Sequence, residues 1–346
     1  MTRYLLVEIG MLVILSFTGC TNELSHEEPE SDHTLRLLSV SLNDEQAEAN
    51  PLTKAEITTG NIAEVGLLVT KASGNSYYDT SNPTLTFTKS ETGWSSSSTI
   101  ELKQDPGDAN AYAFYPATNA STSNESATPK MNVAVRSIHS FDLKNSTQSD
   151  YLYGVKTGIA PSKSAISIGL AHALTKISFR IDKPQNATDI HLAKLEILSP
   201  LSRLQAGNGT INLTSGTLDL PSSSSISLTK SGNELGATIT GATDLLTLSA
   251  DQSVANLSCL LAPMSGAESS LSFKLMVLVD GTLSGGTINA ADLREFGTGT
   301  TSAEWLAGKH YIYHITVDKQ KATLTGVKIE GWKSDSSQSI NIDISN

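Results

Sequence analysis

Among the thiols, imidazoles and carboxylates of this 346-residue chain, one group stands where its surroundings assign it a reaction: the thiol of Cys20. It closes the run Leu12-Val-Ile-Leu-Ser-Phe-Thr-Gly19-Cys20. A signal peptidase cuts where an apolar core of roughly 7–15 residues gives way to small side chains. Met11 to Phe17 followed by Thr18, Gly19 and Cys20 therefore reads as a lipoprotein signal, although Arg3 is the only basic residue of the leader. Cys20 becomes the first residue of the mature chain, carrying a thioether-linked diacylglycerol and an N-acyl chain. At about 0.8 kcal/mol per buried methylene, three tails hold a protein stably on a membrane where one is marginal. The run is too short to span a bilayer, which takes about 20 apolar residues, and Glu8 interrupts it.

The remaining reactive groups assemble into nothing catalytic. The chain has no Gly-x-Ser-x-Gly, no His-Glu-x-x-His, no phosphate-cradling glycine loop and no paired-cysteine metal spacing. His310 and His314 lie on an alternating segment, which as a strand puts them about 13 Å apart at roughly 3.3 Å per residue, too far to share a metal. Asp105, Asp108 and Asn110 alternate like a calcium loop but lack its twelve-residue ligand pattern. Cys259, in Leu257-Ser-Cys-Leu-Leu261, reads as a small core hydrophobe, and with Cys20 lipidated no intrachain disulfide framework is possible. A net charge of −11 argues against nucleic acid, which needs clustered Lys and Arg. The expectation is a non-enzymatic protein without metal or cofactor.

The elements that carry these groups read as strands. Residues 21–33 are acidic, polar and interrupted by Pro29, a disordered tether between lipid and fold. In Leu35-Arg-Leu-Leu-Ser-Val-Ser-Leu42 the residues Leu38, Val40 and Leu42 alternate with serine, the period of a half-buried strand. Asn43 to Gly60 is polar and offers a protease an extended substrate. One series of short strands then runs from Glu64 to Ile168. A second runs from Leu174 to Ile344, with a helix expected around Ala290 to Leu293. Short strands broken by turn residues indicate β-sandwiches, here two in tandem with the cut near residue 163.

Several segments together resemble the fimbrillin family, the lipoprotein subunits of type V pili. They are the lipobox ending at Cys20, Leu52-Thr-Lys-Ala55, Tyr112-Ala-Phe-Tyr-Pro116, Asp150-Tyr-Leu-Tyr-Gly154, His172-Ala-Leu-Thr-Lys-Ile-Ser-Phe179, Tyr311-Ile-Tyr-His-Ile-Thr-Val317 and the closing block from Leu324 through Val327-Lys-Ile-Glu-Gly-Trp332. The resemblance implies two transthyretin-like β-sandwich domains and no enzymatic activity. The chain would divide into a signal peptide (1–19), a lipidated tether (20–33), a first strand with a cleavable loop (34–54), an N-terminal sandwich (55–163) and a C-terminal sandwich (164–346). It also implies an assembly route at the outer membrane surface. A trypsin-like protease cuts after a basic residue in the loop, the first strand is lost, and a strand from another subunit of a homo- or heteropolymer fills the groove. The basic residue of the motif falls on Lys54, ahead of Ala55, where many members carry arginine. Arg36 is a second site, inside the first strand.

Elementary energetics agree with such a route. Burying Leu38, Val40 and Leu42 contributes about 1.5–3 kcal/mol each, and each backbone hydrogen bond roughly 0.5–1.5 kcal/mol. Loss of the strand forfeits on the order of 10 kcal/mol before entropy. Ser339 to Ile344, with Ile340, Ile342 and Ile344 on one face, reads equally as a donor strand or as the last strand of the second sandwich. The expected partners are other pilus subunits, the processing protease, the outer membrane and a surface receptor, with an adhesive role. The alternative is a non-polymerising glycan- or protein-binding outer-membrane lipoprotein, for which Tyr77, Tyr78 and Trp94 would supply an aromatic platform.

Overall fold

The computed structural model describes residues 33–43, 60–73, 76–81, 83–105, 107–119, 129–135, 148–185, 190–198, 206–220, 228–231, 246–247, 256–264, 272–280, 282–288, 305–318 and 322–331. In chain order the strands are β1 (Arg36–Leu42), β2 (Glu64–Lys71), β3 (Thr84–Ser90), β4 (Gly93–Ser96), β5 (Ala109–Tyr115), β6 (Lys130–Val135), β7 (Leu152–Ile159), β8 (Ala165–His172), β9 (Thr175–Asp182) and β10 (Ile190–Leu198). They continue with β11 (Gly207–Asn212), β12 (Leu218–Asp219), β13 (Leu228–Ser231), β14 (Leu246–Thr247), β15 (Asn256–Leu261), β16 (Ser272–Val279), β17 (Thr282–Ile288), β18 (Lys309–Val317) and β19 (Ala322–Gly331). Among the described residues the only helical pieces are two 3-10 turns, Ala117–Asn119 and Pro161–Lys163, so the chain is all-β as its composition implies. The helix expected around Ala290 to Leu293 lies outside the described residues.

A seven-stranded sheet runs in the order β1, β8, β7, β5, β2, β3, β4. Its ends meet. Just ahead of β1, His33 to Leu35 pairs with Ile100 to Leu102, which follow β4: Leu35 N donates to Ile100 O at 2.9 Å and Leu102 N to His33 O at 2.9 Å. The rolled sheet encloses one core, in which Val65, Leu67 and Val69 of β2 meet Leu85, Phe87, Leu152, Ile166, Ile168 and Leu170. β2 is buried on both faces, because Leu68 packs outward with Tyr112 and Phe114 against β6 and β11. That close approach uses a missing side chain: a Cβ on Gly66 would run into the Phe114 ring.

The remaining strands form three smaller sheets. β12, β11 and β6 make one. A five-stranded sheet (β13, β10, β16, β17, with β14 beside β10) and a four-stranded sheet (β15, β9, β18, β19) bury their apolar faces against a common core. Phe179, Phe273 and Tyr313 stand at its centre with ring centroids 4.8–5.6 Å apart, contacts worth about 0.5–1.5 kcal/mol each beyond area burial. Trp305 Nε1 donates to Tyr313 Oη at 2.7 Å, and burial pushes the Tyr313 phenol up.

The first sheet extends past the cut expected near residue 163. Pro161–Lys163 is a 3-10 turn that reverses β7 into β8 within that sheet, and the crossing to the next sheet comes at Ala173 and Leu174, both fully buried. β6 also pairs with β11 along Lys130–Val135 and Gly207–Asn212, from opposite sides of the expected cut. All four sheets fall in one compact unit.

Candidate functional site

The candidate site is β1 and the bed it lies in. β1 is parallel to β8, with rungs Arg36↔Ala165, Leu37↔Ile166, Ser39↔Ser167, Val40↔Ile168, Ser41↔Gly169 and Leu42↔Leu170. Leu38 has no rung, for it is an extra residue inserted between the partners of Ile166 and Ser167. Such a bulge turns the following residues over by one position. Side chains therefore reach the core from Leu35, Leu37, Val40 and Leu42, whereas Leu38 is 62% exposed. This corrects the expected face: Val40 and Leu42 are buried as read, but Leu38 belongs to the solvent side and Leu37 and Leu35 take its place. Uninterrupted alternation cannot register an inserted residue, which is why the sequence pattern misassigned it. Arg36 is exposed on β1, its N–H donating to Ser164 O at 3.0 Å. Cys20, Lys54, Ala55, Ile340, Ile342 and Ile344 lie outside the described residues.

The bed is unusual in how little else holds it. β8 pairs with β7 only at Leu152↔His172 and Tyr153↔Ala171. From Ala165 to Leu170 its ladder partner is β1, extended by Asn43 N to Leu170 O at 2.8 Å. Ser39 Oγ donates to Ser167 Oγ at 2.8 Å on the solvent side. Burying four aliphatic side chains contributes about 6–12 kcal/mol to the attachment of β1.

The floor at the far end of β8 is built from the sequence motifs. Asp150 Oδ2 lies 3.0 Å from His172 Nδ1, both side chains fully buried, so the Asp-Tyr-Leu-Tyr-Gly and His-Ala-Leu segments meet as a close polar pair beside the last rung of β7 and β8. Tyr151 Oη accepts from Ala134 N at 2.9 Å and donates to Ala134 O at 3.0 Å, tying β7 to β6. Tyr153 packs its ring on Gly216, whose φ of +72 favours glycine in any case. Gly154 sits against the Gly169 carbonyl, where a Cβ has no room. Burial, then Glu64 and Asp150, push the Tyr115 phenol up. These side chains pack and orient; none is arranged around a space where a reacting atom would sit.

The other candidate groups are likewise engaged in structure. His310 Nε2 is 2.7 Å from Ser178 Oγ, which is 2.6 Å from Ser258 Oγ, a polar row across β18, β9 and β15. Asn110 Oδ1 accepts from Gly158 N at 3.1 Å, and Asp108 O accepts from Ala72 N at 2.9 Å. Among the described residues no group of three or more His, Cys, Asp and Glu could hold a metal ion. Cys259 is buried, which pushes its thiol far up. Tyr78 Oη donates toward Lys103 O and Gly107 O, and Tyr78 and Trp94 pack on the first core while Tyr77 packs on the β6–β11 side, so the three make no common platform.

A family model described as fimbrillin-like matches residues 52–332, a span that begins after β1 and ends just past β19. No curated protein sequence matches the chain. Among solved structures, a fimbrial protein from Bacteroides vulgatus superimposes with a TM-score of 0.59 at 15% identity, over 87% of this chain and 99% of that one. A protein named as a cell adhesion candidate from Bacteroides uniformis gives 0.56 at 14% identity, over 87% and 100%. At such identity the likeness is one of fold.

Proposed function

The chain belongs to the fimbrillin-like family, and from that premise we propose that it is a lipid-anchored cell-surface protein, a structural or accessory subunit of a type V pilus that contributes to adhesion. Subunits join by replacement of β1. Acylation of Cys20 holds the precursor on the outer membrane. A trypsin-like protease cuts between Lys54 and Ala55, in the stretch joining β1 to β2, and β1 leaves with its tether. A strand from a neighbouring subunit then pairs with β8 and fills the pockets of Leu35, Leu37, Val40 and Leu42. The role is structural, with no reaction assigned.

The observation that carries this reading is the manner in which β1 is held. It lies at one end of the sheet order without covalent continuity to its ladder partner, it supplies six of the eight ladder rungs of β8, and with Leu35 it caps the first core with four aliphatic side chains. Main-chain pairing gives such a site affinity and its alternating pockets give selectivity. Arg36 serves the scheme poorly, since a cut there leaves Leu37 to Leu42 in place.

Limited digestion of the soluble mature chain with a protease specific for lysine and arginine tests it, read by N-terminal sequencing and by unheated denaturing gels. A fragment beginning at Ala55 with a ladder of detergent-resistant oligomers is expected. A resistant monomer, or cleavage at Lys54 with β1 retained and no ladder, overturns strand replacement and leaves a non-polymerising adhesin or capping subunit.

A further inference from the structure

The pockets under β1 are evenly spaced, yet β1 is not the plainest strand that would fill them. Leu37, Val40 and Leu42 stand at Ile166, Ile168 and Leu170, every second residue of β8. A regular strand presents one face at i, i+2 and i+4 and so meets all three. β1 reaches them with one residue too many: its rungs pass from Leu37↔Ile166 to Ser39↔Ser167, and Leu38 between them has none. An inserted residue is left unpaired and disrupts the ladder around it. Nor does its side chain gain from the core, since Leu38 is 62% exposed.

Little else compensates for the break. Among the described residues the ladder of Arg36–Leu42 runs to β8 alone, and the other edge is met only ahead of the strand, at Thr34↔Glu101. β10 also carries an inserted residue, Ala193, but that one is buried, and β10 is paired along both edges, by β16 on one and by β13 and β14 on the other. Without Leu38 the match on β8 becomes one to one. Arg36, Leu37, Ser39, Val40, Ser41 and Leu42 fall on Ala165 to Leu170 in unbroken order, with Leu35, Leu37, Val40 and Leu42 in strict alternation.

We propose that Leu38 makes β1 a placeholder: the inserted residue holds the strand on β8 less tightly than a regular strand with the same inward side chains would be held. Exchange then runs toward the regular strand once the chain is cut between β1 and β2. The proposal rests on strand replacement and gives it a direction. While the chain is whole, tethering raises the effective concentration of β1 at its bed and keeps it there. The cut removes that advantage, and the broken ladder decides between β1 and a competitor. One main-chain bond regained is worth about two- to tenfold in occupancy.

The test is a competition during limited digestion of the mature chain with a lysine-specific protease, which spares the lysine-free segment Thr34–Asn43. Three synthetic peptides with distinguishable labels are added together: Thr34–Asn43, the same peptide lacking Leu38, and the same peptide with Leu38→Ala. Their capture in detergent-resistant complexes is measured. The peptide lacking Leu38 should exceed Thr34–Asn43 about two- to tenfold, and the Leu38→Ala peptide, which keeps the extra residue, should match Thr34–Asn43. In the uncut chain, deletion of Leu38 should raise the urea midpoint, the reverse of what removing a residue from a strand ordinarily does. Equal or weaker capture of the shortened peptide, an equal gain from Leu38→Ala, or a midpoint that stays or falls on deletion overturns the placeholder while leaving strand replacement intact. Failure of all three peptides to be captured overturns both.

Discussion

Leu37 and Leu38 are adjacent, identical in chemistry and opposite in environment, so truncating each in turn weighs the bulge directly. Leu37 is 3% exposed in the first core, whereas Leu38 is 62% exposed. Leu37→Ala removes buried methyl groups and leaves a cavity between β1 and β8, a change that costs about 2–5 kcal/mol. Leu38→Ala removes atoms already in water and falls within about 0.5 kcal/mol of zero. In urea, with a slope of about 3 kcal/mol per molar, the first variant unfolds about 1 M earlier and the second at the wild-type midpoint. Equilibrium unfolding followed by tryptophan fluorescence measures both. Uninterrupted alternation, with Leu38, Val40 and Leu42 inward, makes the opposite forecast. A Leu38→Ala variant that loses as much as Leu37→Ala would falsify the bulged register.

Asp150→Ala removes the carboxyl group 3.0 Å from the buried His172 Nδ1 and should cost about 1–3 kcal/mol, with a double-mutant cycle against His172→Ala showing coupling; additive, near-neutral variants contradict the pairing. Gly154→Ala drives a Cβ into the Gly169 carbonyl, a backbone atom with nowhere to go, and should lower stability by about 1–3 kcal/mol. Gly285→Ala, whose Cβ meets Leu275 O at 3.4 Å, is the near-neutral comparison in the same urea titration. The Cys259 thiol, buried and pushed up by desolvation, should resist iodoacetamide near pH 8 until the chain is unfolded; labelling of the native protein at the rate of a free thiol argues against its placement in the core.

The residues themselves explain which features the sequence disclosed. β2, β16 and β18 were legible because Val65, Leu67 and Val69, then Phe273, Leu275 and Val277, then Tyr311, Tyr313 and Ile315 keep a period of two into a core. β7 carries no such stripe: from Val155 to Gly158 it is exposed and interrupted by glycine, and its ladder to β5 holds it. The first strand lies where its alternation places it but with one wrong side chain on the core face, since a one-residue insertion leaves no compositional mark. The crossing between sheets lies about ten residues beyond the expected cut for the opposite reason. Ala160 to Ser164 has the turn composition of a linker, whereas Ala173 and Leu174, where the chain changes sheet, look like core because they are core.

That buried crossing bears on modularity. Leu174 shares its cluster with Leu68 and Phe114 from the seven-stranded sheet, Val133 and Ile211 from the three-stranded sheet, and Leu260 from β15. A piece ending at residue 163 is thus no independent folding unit: it would lack β8, leave β1 without its ladder, and open this shared cluster to water. Recombination between relatives at that turn would break the protein, whereas exchange in the stretch between β1 and β2 would keep the cluster whole. The boundary that keeps the cluster whole is then the stretch between β1 and β2, where the proposed strand replacement would also divide the chain.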